Sequence, residues 1–506
     1  MEQSLSNYQF VALLLTSIGP VLALARMTKV PDSIVLFGLG VLSAILPGLP
    51  ATSVDPQFVL NLLLPPIIYA SSVRVSWHLL RFTFWPGVLV GAFLVGATTT
   101  AVAAGARFVL LPGLSWTGAL LLGTVAAIFD TRLFHEAKGR PEVPRAIADT
   151  LKARELTGRL LILATFTLLI EMAQAGGSTS PWNIAEHYLW DLPAGVALGC
   201  TIGYGIACAR QRVDPAPVEI AISVATPYGA ALTAHALGLS VVGAITAAAL
   251  VVSAVRIDRR TGAPISSSEA RVSSTAFWEQ ASLMISSALF FLAGRALPQA
   301  LEGVETWGLL RLAAATAGVL VLVLTVQFVA SYLAGHLPPI ARALVAGGGR
   351  SVPSGRDCAR AATVMTWSST RSVIGLVIAL SIPAALPDGH PFPERNVILA
   401  LAAVTIVASV LLQGLTLRAV VKRTALADEQ QSEQERHLAH RAIGEALANP
   451  GPHQVNGFDA ARSALVRLRE EDRIGDEVLV AMLRETDLMA RAEEGDALPG
   501  AGPPNP

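Results

Sequence analysis

The sequence predicts an all-α polytopic membrane protein with about 13 transmembrane helices and a small helical tail. Three observations carry that reading. Of 506 residues, 53% are hydrophobic and only 15% charged, with a mean hydropathy of +0.55, whereas a soluble domain carries about 25% charged residues. Apolar windows long enough to cross a hydrocarbon core of ~30 Å recur about 13 times. Lysine and arginine collect after the odd-numbered windows and nearly vanish after the even ones, and that alternation supports the count.

The windows fall at 8–25, 33–49, 57–72, 85–109, 115–137, 150–174, 189–209, 218–237, 239–255, 277–297, 309–333, 361–383 and 396–420. Several are short or interrupted by glycine, which suits packed or broken helices better than isolated lipid-facing ones. The first ends in Ala23-Leu24-Ala25, small residues like those of a signal-peptidase site. Residues 1–7 contain Glu2 and no Lys or Arg, so the window reads as a retained helix. Arg26 and Lys29 follow the first window, Arg74 and Arg81 the third, and Lys138, Arg140 and Arg145 the fifth; the pattern runs on to Arg418, Lys422 and Arg423 after the last. The positive-inside rule then puts the N-terminus outside and the C-terminus in the cytoplasm.

After residue 423 the chain turns polar, with helical periodicity at 428–447 and 458–487. Residues 424–497 are expected to form a helical cytoplasmic tail with a turn at Gly475, and the Gly/Pro-rich 498–506 a disordered end. A net charge of +0, with arginines scattered among loops, excludes a nucleic-acid partner. Cys200, Cys208 and Cys358 match neither a disulfide framework nor a metal cluster and are expected to be buried small hydrophobes. His135 and His235 are each alone, and nothing indicates a metal or other cofactor. Gly123, Gly158, Gly243 and Gly294 read as packing contacts, and Pro65-Pro66, Pro193 and Pro227 as kinks or breaks.

The charges inside windows that stand out as candidates are Asp130, Glu155, Arg159, Glu279 and Arg371. An ionisable group at bilayer depth is a functional-site hypothesis. At 1.5 Å per residue, Asp130 lies ~12 Å and Arg159 ~13 Å from the loop centred on Lys138, Arg140 and Arg145, and Arg371 ~15 Å into its own helix, so all three reach similar depth. Glu155 and Arg159 stand four apart with the acid first, the favourable order for an intrahelical pair. Arg371 is expected to reach Asp130. Two acids against two bases can close into a neutral structural set. A proton-coupled cation carrier needs instead a midplane carboxylate free to hold either a proton or a cation. The residues alone leave both readings open.

Five stretches resemble segments of one known family. Leu64-Pro-Pro-Ile-Ile-Tyr69 is similar to the family's LPPLLF segment, and Phe277-Trp-Glu279, running to Ser286 and Phe290-Phe-Leu-Ala-Gly294, to its FWE…N…FxLxG helix. Trp367-Ser-Ser-Thr-Arg371-Ser resembles W-x-G-x-R-G; Gln413-Gly-Leu-Thr416 and the helical pair at 464–488 resemble the closing span and the cytoplasmic end. In this order the set resembles the bacterial sodium/proton exchangers of the monovalent cation:proton antiporter superfamily, and the resemblance implies an inverted-repeat antiporter fold with crossed broken helices, a homodimer in the plasma (inner) membrane, and exchange of Na+ or K+ for H+.

The centre departs from the family pattern. Where the family has T-D-P and E-S-L-L-N-D, this chain has Phe129-Asp130-Thr131 and Arg154-Glu-Leu-Thr-Gly-Arg159. Gly158 and Arg159 therefore fall on the family's Asn and Asp, and sliding the register to match Glu155 puts Leu160 at the Asp instead. The ion site implied by the resemblance is Asp130, Thr131, Glu155, Gly158, Arg159, Ser286 and Arg371. The expected function is proton-coupled antiport of a monovalent cation. The alternatives are a non-transporting relative serving as scaffold or sensor, and an anion carrier that uses Arg159 and Arg371 near helix termini.

Overall fold

The computed structural model describes residues 19–20, 32–46, 59–73, 75, 77–131, 145–174, 186–210, 216–254, 268–302, 308–335, 355–386, 389–392, 394–424, 429–449, 457–471 and 473–496. Helices occupy the second to the last of the predicted windows. The first window falls outside the described residues except for Gly19 and Pro20, as do the loop bearing Lys138 and Arg140, His135, and residues 498–506. In order, the helices are α1 (Asp32–Ile45), α2 (Leu64–Ser72), α3 (Trp77–Gly105), α4 (Trp116–Ala127), α5 (Arg145–Gln174), α6 (Leu192–Arg210), α7 (Ala216–Ala236) and α8 (Val241–Ala254). They continue as α9 (Ser268–Glu302), α10 (Leu309–Gly335), α11 (Gly355–Trp367), α12 (Val373–Leu380) and α13 (Arg395–Thr424), followed by α14 (Glu429–Ala448), α15 (Gly457–Glu470) and α16 (Asp476–Asp496). Two short strands, β1 (Phe129–Asp130) and β2 (Thr370–Arg371), interrupt the apolar helices. Among the described residues, α3, α5, α6, α9, α10 and α13 each contain a stretch long and apolar enough to cross a bilayer in one piece.

Packing sorts the helices into two bundles. In the first, α3 packs on α4, α5 and α10, α10 on α11, and α13 on α4, α11 and α12. In the second, α6 packs on α8, α7 on α8 and α9, α1 on α9, and α2 on α7, α8 and α9. The bundles meet where α9 lies against α12 and α13 and where α8 touches α5. Close approach in the second bundle depends on missing side chains: a methyl on Gly40 or Gly294 would collide with the backbone of the facing helix, at Phe291 and Phe37 respectively. The stretches that carry the resemblance also meet there. Trp278 Nε1 donates to Ser223 Oγ at 2.8 Å, Ser223 donates to the Tyr69 hydroxyl at 3.4 Å, and the Tyr69 and Trp278 ring centres are 5.0 Å apart.

Two expectations change. Pro65-Pro66 and Pro193 sit in the first turns of α2 and α6, directly after wide π-type turns at Val59–Leu63 and His187–Asp191, so they start helices; a first-turn N–H has no intrahelical partner to lose. Of these prolines Pro227 alone is interior, and α7 runs on through it. Of the cysteines, Cys358 is buried, but Cys200 is exposed and Cys208 half-buried. The cause lies in α6, whose packed face is the stripe Gly195, Gly199, Gly203 set against Ser240, Ala244 and Ala248 of α8. The cysteines fall off that stripe.

Candidate functional site

The site forms where two helices break. α4 starts at Ser115, whose Oγ accepts from Gly118 N at 3.0 Å, while its own N–H and hydroxyl donate to the Glu394 carboxylate at 2.7 Å each. It ends at Ala127; Ile128 turns extended (φ −70°, ψ 130°) and β1 follows. α11 ends at Trp367 in the run Ser368-Ser369-Thr370, whose hydroxyls compete with the helix for backbone partners. Beyond β2, α12 restarts from Ser372, whose Oγ accepts from Ile374 N at 3.2 Å. β1 and β2 pair antiparallel, Phe129 opposite Arg371 and Asp130 opposite Thr370, and Thr370 Oγ1 donates to the Asp130 carbonyl at 3.0 Å. Extended backbone at membrane depth is tolerated only when buried in protein, and every residue of the two strands is buried.

Both α4 and α11 point their C-termini at this crossing, where the last carbonyls lack helical partners and the dipole end is negative. An arginine meets each end. Arg371, 2% exposed, donates through Nη1 to the Ala126 and Ala127 carbonyls at 2.6 and 3.4 Å and through Nη2 to the Ser369 carbonyl at 2.9 Å. Arg154, 1% exposed, donates through Nη2 to the Met365 carbonyl at 3.3 Å and to Ser369 Oγ, and through Nη1 to Ser331 Oγ at 2.9 Å. Its guanidinium also lies 4.9 Å from the centre of the Phe129 ring. Among the described residues neither arginine makes an ion pair, and the Nε of each is unpartnered. Gln413 completes the cap of α11, with Nε2 reaching the Thr366, Trp367 and Ser369 carbonyls at 2.9, 3.4 and 3.3 Å, and Trp367 Nε1 donates to Thr416 Oγ1 at 2.7 Å. The stretches around Arg371 and Gln413 are thus two halves of one helix cap.

Glu155 meets the chain where β1 ends. Glu155 Oε2 accepts from Thr131 N at 3.2 Å and from Thr131 Oγ1 at 2.5 Å, and Oε1 pairs with Arg159 one turn along α5. Asp130 (6% exposed), Thr131 (2%) and Arg159 (5%) are all buried. Gly158 lies beside them: a methyl there would rest at ordinary contact distance from Phe129 and Val95, 3.6 and 3.7 Å, so the position has room for a Cβ. Asp130, Thr131 and Glu155 bring hard oxygens to one end of β1, the ligand type that alkali and alkaline-earth cations take.

The structure therefore brings together Asp130, Thr131, Glu155, Gly158 and Arg159, with Arg371 beside them on the paired strand. Two expectations are corrected. Arg371 does not turn to Asp130; it binds the end of α4, because a five-donor guanidinium is better satisfied by several helix-end carbonyls than by one acid. Glu279 is not a buried charge: it is 44% exposed and pairs with Arg484 of α16 at 3.2 Å. Ser286 is buried on α9. Arg154 is the residue of this site that the list of candidate charges missed. Its signal is positional, for it falls on the stripe Ile147, Leu151, Arg154, Gly158, the inward face of an amphipathic helix, and Ile147 and Leu151 are buried there.

Comparisons with known proteins agree with this architecture. The family model described as "Sodium/hydrogen exchanger, transmembrane" matches residues 12–423. An uncharacterized Na(+)/H(+) exchanger of Mycobacterium tuberculosis is 27% identical over 453 residues, covering 88% of this chain and 80% of that protein. The Na(+)/H(+) antiporter NhaP of Pseudomonas aeruginosa is 25% identical over 443 residues, covering 82% and 92%. The solved structure of the sodium proton antiporter MjNhaP1 from Methanocaldococcus jannaschii superposes with a TM-score of 0.64 at 16% identity, covering 85% of this chain and 100% of that one. The broken-helix crossing thus sits in an antiporter fold, and the chain belongs to the transmembrane sodium/hydrogen exchanger family.

Proposed function

We propose that this protein exchanges a monovalent cation, Na+ or K+, for protons across the plasma membrane, with Asp130, Thr131 and Glu155 as the exchange site. The observation that carries the proposal is the Glu155 carboxylate, anchored to Thr131 beside Asp130 and covered by Arg159 from its own helix. In this reading Arg159 is a built-in counter-cation. An entering cation takes its place at Glu155 and Asp130, the guanidinium swings aside, and protonation of the carboxylates expels the cation. Competition for one set of oxygens is the simplest way to couple the two fluxes. Arg154 and Arg371 stay on the helix ends and hold the crossing in place. The alternation of basic loops supports an N-terminus outside and a cytoplasmic tail after residue 423, and we take the working unit to be a homodimer.

The test is proton flux into proteoliposomes containing a pH dye, with sodium, potassium or chloride gradients imposed in turn. Flux driven by sodium or potassium and indifferent to chloride is expected. Flux driven by chloride and lost in Arg159→Ala would replace the proposal with an anion carrier, and no flux under any gradient would leave a scaffold.

A further inference from the structure

The three tail helices form one packed unit. Ala439 and Ile443 of α14, Leu465 and Leu468 of α15 and Val478, Leu479 and Met482 of α16 share a core, and Gly475 N between the last two helices donates to Glu435 Oε2 of α14 at 2.7 Å. That unit grips both bundles. Arg469 of α15 pairs with Asp149 of α5 at 3.0 Å, the helix that carries Glu155 and Arg159 six and ten positions further on. Arg484 of α16 pairs with Glu279 of α9 at 3.2 Å, and α16 packs along α9 in the second bundle.

The two grips differ in kind. Arg469 and Asp149 are 2% and 12% exposed, and Arg469 also donates to the Ile474 carbonyl at 3.5 Å, so this pair is desolvated and little affected by salt. Arg484 and Glu279 are 52% and 44% exposed, so that pair contributes weakly and is screened by salt. Two-bundle carriers alternate access by rocking one bundle against the other, and a rigid unit fastened to both bundles resists that motion.

We infer that the tail is a strap across the bundles, anchored to α5 through Arg469–Asp149 and latched to α9 through Arg484–Glu279, the latch opening as ionic strength rises. The inference rests on the exchange reading for its effect on rate, and on geometry alone for the strap itself.

Two measurements on the full-length protein test it. In proteoliposomes with choline chloride as the added salt, the wild-type exchange rate should rise roughly two- to fivefold between low and high ionic strength, the factor one exposed ion pair supplies. Glu279→Arg and Arg484→Glu should each run at the high rate without added salt, and the two combined should restore both the low rate and the salt response. Single reversals that leave rate and salt response as in the wild type, or that slow exchange without rescue by the double reversal, would overturn the latch. Hydrogen exchange in nanodiscs reads the strap without transport. Glu279→Arg should raise deuterium uptake over residues 476–496 and leave 457–470 near the wild-type level, whereas Asp149→Asn should raise both. Uptake unchanged by either substitution would overturn the strap. A wild type with no cation-driven proton flux would overturn the exchange reading alone, and the uptake pattern would then decide the strap.

Discussion

Arg154 and Arg371 converge on one residue: Arg154 donates to the Ser369 hydroxyl, and Arg371 donates to the Ser369 carbonyl at 2.9 Å. The two buried arginines come from α5 and β2, and each also binds the C-terminal carbonyls of a broken helix. Ser369 therefore joins the two helix ends. Ser369→Ala should lower stability by about 1.5–3 kcal/mol, the worth of a hydrogen bond to a charged group, as read from thermal unfolding in detergent. Wild-type stability in that variant would mean that Arg154 has found another partner.

Arg154 itself makes a different prediction, because its partners are neutral and it has no carboxylate to strand. Removing one side of a buried ion pair is costly because it leaves the other charge uncompensated, and no such charge is left here. Arg154→Met should therefore unfold within about 1 kcal/mol of the wild type or above it, while exchange falls because α5 loses its tie to α11. A large loss of stability together with full exchange would reverse the assignment.

Arg159 differs in having an acid to neutralise. Arg159→Ala leaves the half-buried Glu155 with Thr131 as its one partner among the described residues, and should destabilise by about 3 kcal/mol. The double change Arg159→Ala with Glu155→Ala should recover part of that loss. Additive losses in the two single variants would show that the pair does not interact.

Orientation is checked by fusing compartment-sensitive reporters after residues 5 and 440. Opposite answers, outside for the first and cytoplasmic for the second, are expected from the loop charges. Both reporters on one side would remove the odd number of spans.

Much of this architecture is legible in the sequence, because hydropathy and loop charge act at the scale of whole helices. The helices of the second to the last windows lie where they were expected, and Glu155–Arg159 follows from helical spacing alone. What the sequence hides depends on direction. Counting residues puts Arg371 at the depth of Asp130, but the guanidinium turns to Ala126 and Ala127, since the break in α4 exposes carbonyls that an unbroken helix would satisfy. Glu279 lies inside an apolar window, yet α9 begins nine residues before Phe277 and presents it to Arg484, a partner more than 200 residues away. Arg154 stands next to Glu155, and only the buried stripe it shares with Ile147 and Leu151 tells the two apart.

The central claim is that Asp130 and Glu155 at the end of β1 hold the exchanged cation, and its most direct measurement is sodium-driven proton flux in Asp130→Asn compared with the wild type. The wild type should carry the flux, and Asp130→Asn should lose it while keeping its thermal unfolding profile, since the substitution removes a titratable acceptor without changing side-chain volume. Flux in Asp130→Asn equal to that of the wild type would contradict the claim.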